Sequence, residues 1–270
     1  MNRSRILFLS LLLLGLSFIG GYWLSLRQSS KSKDTTHNYL TVRSTRPELQ
    51  FFITSFCPSA NQVEDILQSV YSLLSARADF VPHYIFKKIT NLSEYCTTTQ
   101  PQNKNCLVQN NYLKSQENIY YTSLYGRQET NQNIRELCAW KQVGDDKKPW
   151  WTFVNLVNKN CRVNNADNCW EEQGRQAGLD TYKITECFNQ NAFTLVESEI
   201  ATSAKYNITS TPFIIVNNIN IIPETGTNSY RTPNILKEII CKSMTREARE
   251  CATILPEITG TTPSTGGCGY

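Results

Sequence analysis

The residues best placed to do chemistry stand in "FFITSFCPSANQVEDIL", residues 51–67, where a run of β-forming residues ends at a single cysteine, Cys57. Pro58 follows at once, and apolar residues then recur at helical spacing. A cysteine at the N-terminal end of a helix meets unpaired N–H groups and the positive end of the helix dipole, which favour the thiolate and lower the thiol pKa. The stretch therefore predicts an exposed, nucleophilic thiol at Cys57; the alternative is a buried, inert cysteine.

The usual partner of such a thiol is missing from this stretch. Ala60 occupies the position where a Cys-x-x-Cys site would have its second cysteine. A single thiolate can attack a substrate disulfide and form a mixed disulfide that another thiol releases. Because Cys57 cannot pair with position 60, the sequence favours reduction or isomerisation with a small thiol over disulfide donation.

The cysteines as a group indicate an oxidising compartment. No Cys-x2-Cys pair occurs and the chain has only two histidines, so we predict no metal site and no cofactor. Disulfides are the remaining use for cysteines in such number. All ten follow the apolar N-terminal segment, at positions 57, 96, 106, 138, 161, 169, 187, 241, 251 and 268.

Eight of these cysteines can be placed as four internal pairs. Two pairs bracket short loops that close at low entropic cost, and four further cysteines in a helical region allow three connectivities. We favour one pair across a short loop and one between helices in that region. The predicted disulfides are Cys96–Cys106, Cys241–Cys251, Cys161–Cys169 and Cys138–Cys187.

This assignment leaves Cys57 and Cys268 unpaired. Cys268 lies in the Gly-rich stretch "TGTTPSTGGCGY" at the C-terminus, and we expect an isolated tail cysteine or one that forms an intermolecular bond. The alternative is that Cys268 returns to Cys57 as a resolving thiol, against the entropic cost of closing a long loop. We expect Cys57 to stay free.

The N-terminal part of the chain predicts a membrane anchor. Residues 6–26, "ILFLSLLLLGLSFIGGYWLSL", are 21 residues without a charge, long enough as a helix to cross a bilayer. A cleaved signal peptide is the alternative, but its apolar region is usually shorter and followed by small residues. We expect a short cytoplasmic segment at 1–5, the span at 6–26 and a flexible linker at 27–46.

Charge and cysteine distribution bear on location and partners. Positive charges flank the span on both sides, so the cysteines decide the orientation. We expect a single-pass protein of the cell membrane with its folded domain outside the cytoplasm. The net charge of +4 is scattered rather than clustered, which excludes a nucleic-acid partner.

Residues 47–251 read as one α/β domain, followed by a flexible tail at 252–270. A strand, a helix and a second strand open it as a β-α-β unit, whose strands we expect to be parallel. Helical patterns without convincing strands fill residues 107–206. Two short apolar runs separated by a turn at Asn217 and Asn218 come next, and a last helix begins at Pro233.

This order of elements resembles a thioredoxin-like fold with a helical, disulfide-rich insertion, as in the DsbA family. Within that group the chain is similar to the gamma-interferon-inducible lysosomal thiol reductases and their bacterial relatives. The resemblance covers roughly residues 49–251. It depends on "SFCPSANQVE", "YGRQETNQNIRELC", "WWTFVNLVNKNC", "CWEEQGRQAGLDTYKITEC" and "TSTPFIIVNN".

The resemblance implies a second site element. In such folds a cis-proline lies against the active cysteine, and the residue before it can pair through its backbone with an extended substrate. Here these residues are Pro212 and Thr211, which gives a catalytic set of Cys57, Thr211 and Pro212. Strand-edge proline is the alternative for Pro212.

The reductase signature is only partly kept. Gly126, Glu129, Asn133 and Cys138 hold their places, whereas other residues replace its first two cysteines, its Gln and its His. The chain therefore resembles a divergent, monothiol member. The replacements are Ser123, Leu124, Tyr125 and Thr130.

These observations predict a membrane-anchored, extracytoplasmic thiol–disulfide oxidoreductase or isomerase that acts through the Cys57 thiolate. Its expected partners are cysteine-containing proteins, with a small thiol or redox partner to complete the cycle. A redox-inactive thioredoxin-like module that binds peptides or proteins is the alternative.

Overall fold

The strand predicted before Cys57 forms the centre of the main sheet. β1 (Glu48–Ile53) lies parallel to β2 (Asp79–Tyr84) and antiparallel to β7 (Phe213–Val216), and β8 (Ile219–Asn220) completes the order β2-β1-β7-β8. All of β1 except its first residue is buried, because helices or loops cover both faces of the sheet.

The computed structural model describes residues 42–220, 232–258 and 268–269. The predicted segment 1–5, the predicted span 6–26 and most of the linker 27–46 lie outside the described residues. Within those three ranges, no helix combines the length and apolar character needed to cross a bilayer.

Helix α1 (Pro58–Leu74) connects β1 to β2 and completes the predicted β-α-β unit with parallel strands. Its apolar residues recur at helical spacing and are buried under the sheet, among them Val63, Leu67 and Val70. The C-terminal end of β1 and the N-terminal end of α1 therefore meet at Cys57.

Aromatic residues fill the core between the sheet and the helical region. The Phe51 ring stacks on Trp151 with centroids 5.7 Å apart, and Trp150 meets Trp151 edge to face at 4.8 Å. Trp150, Trp151 and Trp170 are buried. Each large ring contributes a substantial apolar area to this core.

Four helices form the predicted insertion, and proline and glycine mark two of their ends. Pro149 lies in the first turn of the second of them, and Gly178 follows the end of the third with φ of 77°. The helices are α3 (Arg127–Gln142), α4 (Lys148–Asn160), α5 (Ala166–Gln176) and α6 (Thr181–Lys205).

The prediction that residues 107–206 contain no strands is wrong. β4 (Leu113–Lys114) and β5 (Tyr120–Thr122) pair with β3 (Lys87–Ile89) in an antiparallel sheet of order β3-β5-β4. Strands of two or three residues are too short to show a two-residue period, so the sequence pattern does not reveal them. A short helix, α2 (Leu92–Thr98), precedes this sheet.

The last predicted helix and the predicted hairpin both form. Helix α7 (Pro233–Lys242) begins with Thr232 as its cap, whose side chain accepts a hydrogen bond from Ile235 N at 3.3 Å. Asn217 and Asn218 both have positive φ, 49° and 65°, as a tight hairpin turn between β7 and β8 requires.

The C-terminal segment has contacts that correct the expectation of a wholly mobile tail. Leu255 exchanges two hydrogen bonds with the Asn234 side chain, at 2.8 and 2.9 Å. Further along, β9 (Cys268–Gly269) pairs antiparallel with β6 (Ser210–Thr211). A two-residue strand in a Gly-rich context leaves no pattern that sequence reasoning can detect.

The domain also begins slightly before the predicted boundary at Pro47. Ser44 N donates to Ser243 O at 2.8 Å, and the Arg46 guanidinium binds Asp79 at 2.7 Å. These contacts tie the described end of the predicted linker to the folded body.

All ten cysteines lie among the described residues and form five disulfides. Four of these are the pairs that the sequence favours: Cys96–Cys106, Cys138–Cys187, Cys161–Cys169 and Cys241–Cys251. Three of the four close loops of ten residues or fewer, which is why spacing alone could indicate them.

Candidate functional site

The fifth disulfide joins the two cysteines that the sequence leaves unpaired. Cys57 and Cys268 are bonded with their Cα atoms 6.1 Å apart, across a sequence separation of 211 residues. The expectations of a free Cys57 and an isolated Cys268 are therefore wrong, as is the expectation of an exposed Cys57, which is fully buried. The physical reason is the pairing of β9 with β6, which brings Cys268 over the end of β1.

The local sequence places Cys57 at the N-terminal end of α1, as predicted. Its carbonyl accepts the first helical hydrogen bond, from Asn61 N at 3.0 Å, and Pro58 occupies the first helical position. The first turn of α1 contains no acidic residue. The sulfur therefore lies where unpaired helix N–H groups favour negative charge.

Thr211 and Pro212 lie beside this sulfur. The peptide bond between them is cis, as the resemblance implies, and the Thr211 carbonyl oxygen is 3.9 Å from Cys57 Sγ. The Thr211 hydroxyl donates to Phe52 O at 3.2 Å, which fixes this loop against β1. The structure thus brings the three predicted site residues together.

The backbone on the other side of Thr211 carries the C-terminal strand. Thr211 lies opposite Cys268 and Ser210 opposite Gly269 in the antiparallel β6–β9 pair. This is the edge where the resemblance places an extended substrate. The chain's own C-terminal residues therefore occupy the position expected for a substrate peptide.

Tyr125 reaches the same disulfide from the helical region. Its hydroxyl points at Cys268 Sγ from 3.9 Å, and its side chain is 47% exposed. It also lines a pocket of about 270 Å³, together with Tyr95, Tyr112, Ser123 and Arg127. This pocket adjoins the disulfide through Tyr125 and offers mainly polar and aromatic groups.

A buried carboxylate joins the two loops that flank the disulfide. Glu129 accepts hydrogen bonds from Phe56 N at 3.2 Å and from Tyr125 N at 2.8 Å. Burial raises the pKa of Glu129, while these backbone hydrogen bonds act in the opposite direction. Glu129 therefore fixes the separation between Phe56, which precedes Cys57, and Tyr125, which contacts Cys268.

Asn133, one helical turn further along α3, makes a second connection. Its Oδ1 accepts from Ser55 N at 2.9 Å and from the Ser55 hydroxyl at 2.6 Å, and its Nδ2 donates to Ser123 Oγ at 2.9 Å. Ser123 N in turn donates to Thr130 Oγ1 at 2.8 Å. Two positions where the reductase signature has cysteines are thus joined by a hydrogen bond.

A further carboxylate, Glu136, lies deeper on the same face of α3. It accepts hydrogen bonds from the Tyr84 hydroxyl at 2.5 Å and from Gln132 Nε2 at 2.9 Å. Burial raises the pKa of Glu136 to about 7. Burial likewise raises the pKa of the neighbouring Glu64 well above its usual value, and the Glu136 charge adds to that shift.

The raised pKa of Glu136 predicts a stability that falls as pH rises. Between the ordinary value of 4.5 and about 7, the unfolded chain has released this proton while the folded protein keeps it. This group should therefore lower the free energy of unfolding by up to about 3 kcal/mol across that range. Denaturation of Glu136→Gln at several pH values should show a shallower slope than wild type.

The exposed Glu171→Gln variant is the matched control for that prediction, because Glu171 lies on the surface beside Arg175. It should keep the wild-type slope. An identical pH slope in the Glu136→Gln variant and the wild type would contradict the assignment.

His83, on β2, is held between a carboxylate and an aromatic ring. His83 Nδ1 lies 3.0 Å from Glu199, and its ring stacks on Phe52 at 4.8 Å. Among the described residues, no cluster of three or more His, Cys, Asp or Glu side chains could hold a metal ion.

The sequence did not predict the hydrogen-bonding roles of Glu129 and Asn133 or the contact of Tyr125, whereas the bond from Cys268 to Cys57 is the alternative that the sequence analysis gave for Cys268. Glu129 and Asn133 lie on the same face of α3 as Glu136. Their helical spacing is visible in the sequence as a stripe of polar residues. Nothing in the spacing of Tyr125 indicates that it approaches the Cys57–Cys268 disulfide.

Comparison with known proteins gives relatives for this domain. Residues 51–241 match the family described as "Vacuolar sorting receptor thioredoxin-like domain". Vacuolar-sorting receptor 4 of Arabidopsis thaliana is 24% identical over 157 residues, which cover 52% of this chain and 24% of the receptor. Vacuolar-sorting receptor 1 of Pisum sativum gives the same identity and coverage. The match thus spans about a quarter of the length of these curated relatives.

Among solved structures, oxidised BdbD of Bacillus subtilis is 15% identical, with a TM-score of 0.46, and the match covers 76% of this chain and 90% of BdbD. A similarity of this size does not support a transfer of function.

The family match includes the second half of β1, Cys57, the four-helix insertion and Pro212. It confirms the thioredoxin-like fold expected from the sequence. The narrower resemblance to gamma-interferon-inducible thiol reductases stays a prediction. Because the match extends over residues 51–241, most of the sequence, the chain belongs to the family of vacuolar sorting receptor thioredoxin-like domains.

Proposed function

We propose that this protein is a thiol–disulfide oxidoreductase whose redox pair consists of Cys57 and Cys268. The observation that carries the proposal is the disulfide between them, located at the N-terminal end of α1 and beside the cis Thr211–Pro212 bond. Cys268 supplies from the other end of the chain the second cysteine that Ala60 does not provide. With Cys268 in reach of Cys57, the mechanism no longer requires a single thiol.

In the reducing direction, the Cys57 thiolate attacks one sulfur of a substrate disulfide. A bond forms between Cys57 and that sulfur, and the other substrate sulfur leaves as a thiolate. The Cys268 thiolate then attacks Cys57 Sγ, which forms the observed disulfide and releases the second substrate thiolate. The substrate gains two electrons, the Cys57 and Cys268 pair loses two, and the thiol protons end on the released substrate sulfurs.

An external reductant completes this cycle. Two molecules of a small thiol convert the Cys57–Cys268 disulfide back to two thiols and become one small-molecule disulfide. In the opposite direction, a substrate dithiol reduces the pair and becomes oxidised. Two cysteines can exchange two electrons with a substrate in either direction. The redox poise of the compartment therefore decides whether the protein reduces or oxidises its substrate.

Features of the site favour the Cys57 thiolate as attacking group. The helix N-terminus and the absence of acidic residues in the first turn of α1 stabilise negative charge on the sulfur. Glu129 holds the Phe56 and Tyr125 backbones, so Cys57 and the groups around Cys268 keep a fixed arrangement. Cys268 therefore returns to a preformed position beside Cys57 when the disulfide reforms.

For the cellular setting we propose a single-pass membrane protein anchored through residues 6–26, with the folded domain outside the cytoplasm. Five disulfides in one domain support an oxidising compartment, because cytosolic thiols are kept reduced. Cysteine-containing proteins are the proposed substrates and a small thiol the proposed redox partner.

Differential alkylation in glutathione buffers tests the proposed function. As the ratio of reduced to oxidised glutathione rises, Cys57 and Cys268 should become alkylated together in the folded protein. The cysteines of the other four pairs should stay protected under the same conditions. Failure of Cys57 and Cys268 to react before the protein unfolds would contradict the proposal.

A peptide-binding module without redox activity is the second candidate. The β6 edge accepts an added strand, as its pairing with β9 shows, and strand addition is a common mode of peptide recognition. The relatives named as vacuolar-sorting receptors favour the same role. Peptide binding by a Cys57→Ser, Cys268→Ser double variant, which lacks both thiols of the pair, would favour this candidate.

A further inference from the structure

β9 meets the site in two ways at once. Cys268 is bonded to Cys57, and the backbone of Cys268 and Gly269 pairs antiparallel with Thr211 and Ser210. A protein substrate caught as a mixed disulfide with Cys57 would need the same two attachments. It would need a sulfur in place of Cys268 Sγ and an extended backbone along the β6 edge.

The disulfide is the main attachment of β9. The strand contains two residues, and each backbone hydrogen bond contributes only about 1 kcal/mol net. The Tyr125 hydroxyl adds a weak contact to Cys268 sulfur at 3.9 Å. A two-stranded pair of this length does not persist alone in water. Cleavage of the disulfide should therefore free the β6 edge.

We propose that β9 is a tethered substrate mimic, which closes the β6 edge while Cys57 and Cys268 are oxidised and leaves it when they are reduced. The inference rests on the proposed function, since it requires exchange at Cys57. The ligand of the open edge is an extended protein segment that contains a cysteine. Its cysteine lies opposite Thr211 and its next residue lies opposite Ser210, in the register of Cys268 and Gly269.

This arrangement makes the tail a competitor of substrate. A group tethered to the same chain acts at an effective concentration on the order of 1 mM. A free peptide at about 0.1 mM should therefore be outcompeted about tenfold by the tail for Cys57. Removal of the tail sulfur should remove this competition without loss of Cys57.

Full-length Cys268→Ser provides the test, with wild type for comparison and Cys268→Ala as a second variant. Each protein is equilibrated in glutathione buffer with a synthetic peptide of the tail sequence "STGGCGY", residues 264–270. The matched control is STGGCPY, in which proline replaces the residue that lies opposite Ser210 and so removes its backbone N–H. Intact-mass analysis then measures the fraction of Cys57 bonded to peptide and the fraction bonded to glutathione.

We expect about tenfold more peptide capture by Cys268→Ser than by wild type, from the loss of the tethered competitor. STGGCPY should be captured about fivefold less than STGGCGY, because proline weakens strand pairing at the position opposite Ser210. Amide hydrogen exchange at Ser210 and Thr211 should slow when STGGCGY is captured.

The fraction of Cys57 bonded to glutathione distinguishes failure of the substrate-mimic inference from failure of the proposed function. If Cys57 takes up glutathione but shows no preference between the peptides and no change at Ser210 and Thr211, the substrate-mimic inference is overturned while exchange at Cys57 stands. If Cys57 takes up neither glutathione nor peptide in the Cys268→Ser and Cys268→Ala variants, the proposed function fails and the inference fails with it.

Discussion

Replacing Cys57 with serine should reduce catalysed thiol–disulfide exchange to the uncatalysed background. A serine hydroxyl is not ionised near neutral pH and cannot form a disulfide, so neither the attack nor the mixed disulfide is possible. We expect a loss of at least about 100-fold in the rate of insulin disulfide reduction by glutathione, on the scale of removing a nucleophile.

Cys268→Ser is the matched control for this prediction. Both variants lose the same Cys57–Cys268 crosslink, so any change in stability from the open loop is shared. Cys268→Ser should keep the first step and turn over when glutathione resolves the mixed disulfide. Equal loss in the two variants would indicate that the crosslink, rather than the Cys57 thiolate, is what activity requires.

The second large effect is expected at Glu129, which acts as a positioning residue. Glu129→Leu leaves the N–H groups of Phe56 and Tyr125 without their buried acceptor. Each such group costs about 1 to 3 kcal/mol, so the free energy of unfolding should fall by about 4 kcal/mol. Chemical denaturation measures this change directly.

Glu129→Gln separates the charge from the hydrogen bonds. It keeps one carbonyl oxygen and the shape of the side chain, so it should lose about 1 to 2 kcal/mol. In both variants, the Cys57–Cys268 pair should open at a less reducing glutathione ratio than in wild type, since the two flanking loops are no longer held together. Unchanged stability and unchanged opening in Glu129→Leu would contradict the positioning role.

The parts of the fold that the sequence predicts are those with local signals. β1, Cys57 and α1 follow one another within one short stretch. The run of β-forming residues, Pro58 and the helical spacing of the apolar residues are therefore all visible in the sequence. The disulfides that close short loops are indicated by spacing, as in Cys96–Cys106. The place of Pro212 came from the resemblance, because a Thr-Pro dipeptide alone is weak evidence for a cis bond.

The parts that the sequence does not predict depend on contacts distant along the chain. Cys57 and Cys268 are separated by 211 residues, and their bond depends on a two-residue strand without a periodic pattern. The entropic cost of closing that loop can be inferred from the sequence, but the β6 edge with which Cys268 pairs cannot. A prediction of this pair needs knowledge of where β6 lies.

The polar interior of α3 shows a second limit. Glu129, Asn133 and Glu136 would be expected on a solvated face, yet all three are buried. Their side-chain oxygens accept hydrogen bonds from backbone and side-chain donors of the Cys57 loop and of β2. These hydrogen bonds compensate for the cost of burying the three polar side chains. Tertiary contacts therefore bury polar residues that the helical pattern alone would place in solvent.

A single-turnover experiment tests the role of the Cys57–Cys268 pair most directly. Reduced wild-type protein is mixed with one equivalent of a peptide disulfide, quenched with acid at successive times, alkylated and mapped by mass spectrometry. The account predicts a transient mixed disulfide at Cys57, followed by the Cys57–Cys268 disulfide and two free peptide thiols, with Cys268→Ser stopping at the mixed disulfide. Peptide bonded to Cys268 instead of Cys57, or reduced peptide formed while Cys57 and Cys268 both stay free, would contradict it.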